Sequence, residues 1–446
     1  MQTKDEAESY IYRSYLKAEK YLRFADKDAI KRHPQYSKDI LQRLSETPAI
    51  TVTGSKGKGS VAYMISEILQ TKYNVGLMTS PHIIDFCERF RINGKQISDV
   101  DFIKCVENVR LDFEIIEKTL TSPEYISPIG IQAAVALMYF NQNRTEFNVI
   151  EHGKGAKYDD VTNIKHQYAV INTIFLEHTR ELGKTLEEIA KDKVCTITDD
   201  VKIAATAEQK PEVLEIIHNQ AKQKKCRLLE YGRDFEAENI KFLKSGMVFD
   251  VVTEQNRYTD IKIPLLGVNQ AKNCALAIAV CEQVLPDINI LKMKQKLSAL
   301  EWPGRQEIIS SIPFIMLDAC INRLNAERVK ETLKNMDFSR VVTIIGIPDD
   351  KDFLGVAEVM VDISEQIILT KSSNRHYIFS EKQIDILKQN EIDAIYCDSL
   401  TKALLMAQSY NLPIVILGTT SLISDVKNKK SPEVRIFRKE ISKIGT

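Results

Sequence analysis

Residues 51–60, Thr-Val-Thr-Gly-Ser-Lys-Gly-Lys-Gly-Ser, place a lysine and a serine among closely spaced glycines, a set of residue types suited to holding phosphate. The run Ala49-Ile-Thr-Val-Thr53 before them is short and β-branched and reads as a buried strand. Ser60-Val-Ala-Tyr-Met-Ile after them opens an apolar pattern of helical period. A strand, a glycine-rich turn and a helix together aim backbone N–H groups and a positive helix end at an anion. Gly54, Ser55, Lys56, Gly57 and Gly59 form the turn, Lys58 would reach the terminal phosphates, and the Ser60 hydroxyl would sit on Mg²⁺. The spacing is tighter than the common G-x-x-x-x-G-K-[ST] loop, and Gly59 separates the lysine from the serine. A Gly/Lys/Ser turn without a nucleotide is the plainer alternative.

Further candidates stand where strands end. Ser80 follows a strand over Asn74–Thr79, Glu151 closes one over Phe147–Glu151, and His178 comes soon after one over Tyr168–Ile174. A parallel sheet delivers ligands at such carboxyl ends. Ser60, Ser80 and Glu151 offer the oxygen ligands that Mg²⁺ prefers, with His178 an unusual nitrogen. Each has a plainer reading when taken alone: Ser80 as a cap before Pro81, Glu151 as a surface charge, His178 as a packed or solvated ring. Lys193, on a Lys/Asp-rich helix, would ordinarily be solvated.

The elements that must position these residues alternate. Residues 1–45 read as charged amphipathic helices with a stripe of Tyr10, Tyr12, Tyr15, Leu16, Tyr21 and Leu22. Glu88–Ser98 carries a small strand and an Asn-Gly turn, and Ile129–Phe140 is a strongly apolar helix. Helices near 185–194 and 211–223 alternate with strands near Val201–Ala204 and Arg227–Glu230, which predicts a doubly wound parallel sheet. Phe235–Ile263 reads as a β-rich insert and Asn269–Val284 as an Ala-rich helix. Trp302-Pro303-Gly304 breaks the chain, dividing residues 1–300 from 301–446. Beyond it strands are expected at Phe314–Asp318, Val341–Gly346, Gln366–Thr370 and Pro413–Gly418, making a second, smaller α/β domain.

Composition narrows the function classes. At 446 residues, two or three domains are expected. The 61 basic and 61 acidic side chains cancel, so net charge gives no pull toward nucleic acid or an acidic membrane. The basic runs Lys222–Lys225 and Lys427–Lys430 read as solvated helix ends and loops. Eight cysteines occur singly with no C-x-x-C pair, which argues against a zinc ribbon or a disulfide framework and suits a reducing cytoplasm. The acidic start Met1–Glu8 is unlike a signal peptide, and no apolar window is long enough to span a membrane.

Taken in order, these motifs resemble the folylpolyglutamate synthase/dihydrofolate synthase family of Mur-type ATP-dependent ligases, from about residue 45 onward. Thr53–Ser60 is similar to the family's T-G-T-N-G-K-G-S, and Thr79–His82 with Glu88–Gly94 and Ile97-Ser98 to T-S-P-H…E-R-I-R-I-N-G…I-S. Glu177–Lys193 resembles D-H-T…L-G-x-T-L-E-E-I-A-x-E-K, Asn269-Gln270 with Asn273 resembles H-Q-x-x-N, and Trp302–Arg305 is W-P-G-R. The resemblance implies a Mur-ligase fold, a P-loop domain followed by a Rossmann-like domain. It also implies ATP-driven activation of a carboxylate as an acyl phosphate, followed by attack of an amino acid, in a monomer. By the same resemblance Lys58 and Ser60 hold phosphates and the first Mg²⁺, while Ser80, Glu151 and His178 hold magnesium. Lys193 matches the family's carbamylated lysine, Asn273 and Arg305 would contact ATP, and Asp318 the ribose.

The departures are concentrated. Asp318-Ala-Cys-Ile-Asn-Arg323 stands for D-G-A-H-N-P, so Ile321 replaces the histidine. Glu151–Asn163 is one residue longer than E-V-G-L-G-G-R-L-D-A-T-N, and the acid of the preceding helix falls near Gly130. Two alternatives follow: a Mur-type ligase acting on a carboxylate other than folate, and a non-catalytic nucleotide-binding relative that scaffolds a partner. A P-loop kinase or GTPase switch leaves the W-P-G-R boundary unexplained.

Overall fold

The structure, a computed structural model, describes residues 1–19, 33–374 and 376–427. Tyr21, Leu22 and Asn428–Lys430, which fall in stretches named above, lie outside them. The chain divides into two compact units. The first comprises Met1–Glu238, Asp250–Ile261 and Lys272–Leu297; the second comprises Asn239–Phe249, Lys262–Ala271 and Ser298 onward.

The first unit is built on an eight-stranded sheet. Its strands are β1 (Ala49–Thr53), β2 (Val75–Met78), β3 (Phe90–Ile92), β4 (Lys95–Gln96), β5 (Phe147–Glu151), β6 (Tyr168–Ile171), β7 (Ile203–Thr206) and β8 (Arg227–Glu230). Their order is β4-β3-β2-β5-β1-β6-β7-β8. From β2 to β8 the pairs are parallel, but β3 runs antiparallel to both β2 and β4. The expected doubly wound sheet is therefore mixed. Asn93 and Gly94, both at positive φ, turn the chain from β3 into β4 too tightly for a helical crossover.

Helices cover this sheet: α1 (Lys4–Glu19), α2 (Lys38–Leu44), α3 (Lys58–Leu69), α4 (Asp99–Glu117), α5 (Pro128–Gln142), α6 (Leu186–Lys193) and α7 (Pro211–Lys224). Helix α4 is not marked in the sequence reading, although Ser98 caps it by accepting from Asp101 N. Helix α5 is apolar on nearly every face and correspondingly buried from Ile129 to Leu137. Ile11, Leu41, Phe90, Phe102, Val109, Val135 and Phe140 share one core; Ile171, Ile189, Ala204 and Ile217 share a second. Strand β6 ends at Ile171 rather than Ile174, because Asn172 already turns the chain toward the phosphate loop.

Three strands, β9 (Phe235–Leu243), β10 (Gly246–Thr253) and β11 (Arg257–Ile263), form a separate sheet in the order β11-β10-β9, as the insert's alternation predicts. Helix α8 (Val268–Val284) follows.

The second unit carries a six-stranded sheet of β12 (Glu307–Ser311), β13 (Phe314–Asp318), β14 (Val341–Gly346), β15 (Ser364–Leu369), β16 (Ala394–Tyr396) and β17 (Ile414–Gly418). Its order is β12-β13-β17-β14-β15-β16, parallel except for the β12–β13 hairpin. The edge strands β12 and β16 are polar or short, which is why their sequences do not stand out. Among the described residues no helix is long and apolar enough to cross a membrane.

Candidate active site

Strands β2, β5, β1 and β6 are consecutive neighbours, with Met78 beside Ile150, Val52 beside Glu151 and Thr53 beside Ile171. The chain leaving each strand therefore arrives at one edge of the sheet. The phosphate-type loop is clamped there. Asn172 N donates to Thr53 O at 2.8 Å and Ser55 N to Thr173 O at 3.0 Å, while Ser55 Oγ donates to Phe175 O at 3.1 Å. Gly57 caps α3 in the left-handed region (φ 82°), and a Cβ there would lie 2.6 Å from Asn172 Nδ2. Only glycine meets both demands. The helix begins at Lys58, two residues earlier than its apolar pattern suggests, so Lys58, Gly59 and Ser60 form its first turn.

Two lysines converge on this loop. Lys58 Nζ donates to Gly54 O at 3.2 Å, and Lys193 Nζ donates to the same carbonyl at 2.9 Å. Lys193 also pairs with Glu177 Oε1 at 2.9 Å, and its side chain is 1% exposed. Burial overturns the solvated-lysine alternative. Desolvation first, then the Lys58 ammonium, pushes the Lys193 amine below the usual lysine range against the pull of Glu177. Glu177 is a site residue to which sequence reasoning gave no role, although it stands at the acidic first position of the D-H-T motif beside His178. Asn172 is another, bridging to the loop from β6 and donating to Asn273 Oδ1 at 2.9 Å, which brings Asn273 to Gly57.

Glu151, 3% exposed, accepts from Ser80 N at 2.8 Å, so the exits of β2 and β5 are joined. His178 sits at φ 47° in a turn in which its carbonyl accepts from Glu181 N and Leu182 N, and its Nε2 is 3.8 Å from Glu177 Oε2. Desolvation, then Lys154, pushes this imidazole down to about 4. With 45% of the side chain exposed the desolvation is partial, and the ring is neutral at pH 7 either way. The loop after Glu151 is held from both sides. Asp159 Oδ2 accepts from Gly153 N and Lys154 N at 3.0 and 3.1 Å, and Asp192 Oδ1 accepts from Ala156 N at 2.7 Å. Asp192 therefore ties that loop to the helix bearing Lys193.

Gly54–Ser60, Ser80, Glu151, His178, Lys193 and Asn273 all belong to the first unit; Arg305 and Asp318 belong to the second. There Asp318 closes β13 and accepts from Gln306 N at 2.9 Å, while Ala319 N donates to Gly304 O at 3.0 Å, folding the Trp302–Arg305 turn onto the strand exit. Ile321 is half-buried beside Asn322, which caps the following helix (Arg323–Asn335) by accepting from Asn325 N at 3.0 Å.

The donor set Ser60, Ser80, Glu151 and His178 is rich in hard oxygen and fits Mg²⁺ better than a softer metal. A different group with ligand-like spacing, Asp85, Cys87 and Asp99, already has a cation: Lys4 Nζ lies 2.6 Å from Asp85 and 3.5 Å from Asp99.

A strand–glycine loop–helix with converging lysines, followed by a separate α/β unit, defines a nucleotide-dependent ligase of the Mur type. The Mur ligase middle domain matches residues 52–281. The dihydrofolate synthase/folylpolyglutamate synthase of Bacillus subtilis (strain 168) is 28% identical over 422 residues, covering 92% of this chain and 96% of that one. The folylpolyglutamate synthase of Lacticaseibacillus casei is 28% identical over 389 residues, covering 85% and 89%. A solved folylpolyglutamate synthase complex with AMPPCP and folate superposes with a TM-score of 0.80 at 26% identity, covering 96% of this chain and 99% of that one. The chain belongs to the folylpolyglutamate synthase/dihydrofolate synthase family of Mur ligases, and it is an ATP-dependent ligase that joins a carboxylate to an amine.

Proposed function

We propose that this enzyme adds glutamate to a folate-type carboxylate through an acyl phosphate. The observation that carries the reading is the Gly54–Ser60 loop: its αL cap, clamped backbone and two lysines on one carbonyl form an anion seat at the strand exit. The acceptor carboxylate attacks the terminal phosphorus, the bond to the bridging oxygen breaks, and ADP leaves. The amine then attacks the acyl carbon, and phosphate departs as the amine loses a proton. Lys58 draws charge off the terminal phosphate, and the clamped loop holds it in line with the acceptor. Ser60, Ser80, Glu151 and His178 would hold magnesium, which supplies charge neutralisation at the phosphates.

Lys193 is read as a carbamate site, because only a neutral amine takes up CO₂ and this one is held below the normal lysine range. Carbamylation would exchange its attraction to Glu177 for repulsion, so the modified side chain requires a cation beside it. By the family resemblance Asn273 and Arg305 are assigned to ATP, Arg305 to its γ-phosphate, and Asp318 to the ribose. Residues 1–300 are taken as the nucleotide-binding part and 301–446 as the C-terminal ligase part.

One observation favours a second reading, a ligase for another carboxylate. A Cβ on Gly130 would lie 2.4 Å from Asp160 Oδ1, so a carboxylate from the lengthened loop occupies the space where the family's helix acid would stand. The deciding experiment is mass spectrometry of products formed with ATP, Mg²⁺, glutamate and either dihydropteroate or tetrahydrofolate. A mass gain of one or more glutamyl residues with matching ADP supports folate; turnover only with other acids supports the second reading.

A further inference from the structure

We infer that Arg89, with His82 and Gln132, forms a binding site for the carboxylate-bearing end of the acceptor; this rests on the ligase reading and specifies how that substrate is held. Arg89 closes a short 3-10 helix (Phe86–Arg89) just before β3. Its Nε donates to His82 Nδ1 at 3.0 Å and its Nη1 to Gln132 Oε1 at 2.7 Å, and the guanidinium lies 4.7 Å from the centre of the Phe86 ring. Burial pulls the guanidinium below the ordinary arginine range. Tyr12, Glu151 and Glu8 act on it in the opposite direction, yet among the described residues its hydrogen bonds run to neutral partners and not to a carboxylate. A half-buried cation bonded at contact distance to neutral groups, with the Glu8 and Glu151 charges acting from farther off, retains a desolvation cost that an incoming anion would recover.

The His82 and Gln132 side chains are also oriented by it. Because Arg89 donates to His82 Nδ1 and to Gln132 Oε1, the remaining polar atoms, His82 Nε2–H and the Gln132 amide NH₂, are both donors. Gln132 is only 2% exposed, so its amide is held in one orientation by Arg89. The guanidinium together with these two donors suits a carboxylate. The scaffold is fixed in advance: the Glu88 carboxylate accepts from Ile83 N, Ile84 N and Asp85 N at 2.9, 3.1 and 3.1 Å, which sets the turn carrying His82. That turn continues directly from Ser80, whose N–H meets Glu151, so the patch borders the proposed magnesium ligands.

The test is calorimetric titration of the full chain, with AMPPCP and Mg²⁺ present, using folate, p-aminobenzoylglutamate and glutarate as carboxylate probes. Arg89→Gln removes the cation, and Gln132→Glu neutralises it by supplying an internal partner without leaving a charge unpaired. Each should weaken carboxylate binding by about tenfold or more, as loss of a charge-assisted hydrogen bond does. AMPPCP affinity should stay within about twofold, since these residues do not meet the nucleotide loop. If no carboxylate binds the wild type, or if binding is unchanged in both variants, the inference is overturned. If folate fails to bind but another carboxylate binds in an Arg89-dependent way, the folate reading falls while the carboxylate site stands.

Discussion

Replacing Glu177 by glutamine removes the charged partner of an almost fully buried lysine while keeping the side chain's shape. Lys193 is 1% exposed and its Nζ lies 2.9 Å from both Glu177 Oε1 and Gly54 O, so after the change one carbonyl and an amide oxygen face a buried ammonium. Stripping one partner from a buried pair costs roughly 3–5 kcal/mol. Glu177 is 17% exposed, and glutamine still accepts a hydrogen bond, which brings the expected loss to about 2–3 kcal/mol. For a unit of this size that corresponds to a fall in Tm of roughly 5–10 °C. The assay is thermal unfolding of wild type, Glu177→Gln, Lys193→Met and the double variant in CO₂-free buffer. Removing the lysine should relieve the penalty, so the double variant should be more stable than the sum of the two single losses by about 1 kcal/mol or more. Additive losses, or a Glu177→Gln protein that melts with the wild type, would refute a buried Lys193–Glu177 pair at the loop.

The other expectations can be checked with simpler measurements. Lys58→Ala should lower kcat for ADP release by about a hundredfold or more, as removal of one charge-stabilising donor does elsewhere; wild-type turnover would sink the site assignment. Ile321→His should leave acceptor-dependent formation of the acyl phosphate intact, read by trapping with hydroxylamine, while changing the KM for the amine. Gly76→Ala should destabilise the first unit, because the new Cβ would meet Asn148 Oδ1 at 2.5 Å and Phe140 Cγ at 2.6 Å. Overpacking of this kind costs about 1–3 kcal/mol, read as a lower midpoint in urea. Chelation with EDTA should abolish turnover, read as loss of ADP release, because magnesium supplies the charge neutralisation at the phosphates.

The strands that matter most were legible because they are short apolar runs ending in residues of another kind. Ala49–Thr53, Phe147–Glu151 and Phe314–Asp318 have in the structure the limits their sequences suggest. Local backbone demands were legible too: the glycines after Thr53 and the Asn93-Gly94 turn advertise their conformations. Helix α4 was missed because its apolar positions are diluted by charge, and β12 and β16 because edge strands need little hydrophobic pattern.

Chain order alone determined that a glycine loop bearing Lys58 would lie between a buried strand and a helix. Tertiary structure decided what that loop touches. The order β2-β5-β1-β6 is a property of long-range pairing, and it sets Ser80 against Glu151 and Asn172 against Thr53. Lys193 shows the difference most clearly. Its surroundings in the chain, Ala-Lys-Asp-Lys, describe a solvated helix end, whereas folding carries it to the carbonyl of Gly54, 139 residues away. Burial there, rather than residue type, is what lowers its basicity, and burial is a property of neighbours that a linear pattern does not contain.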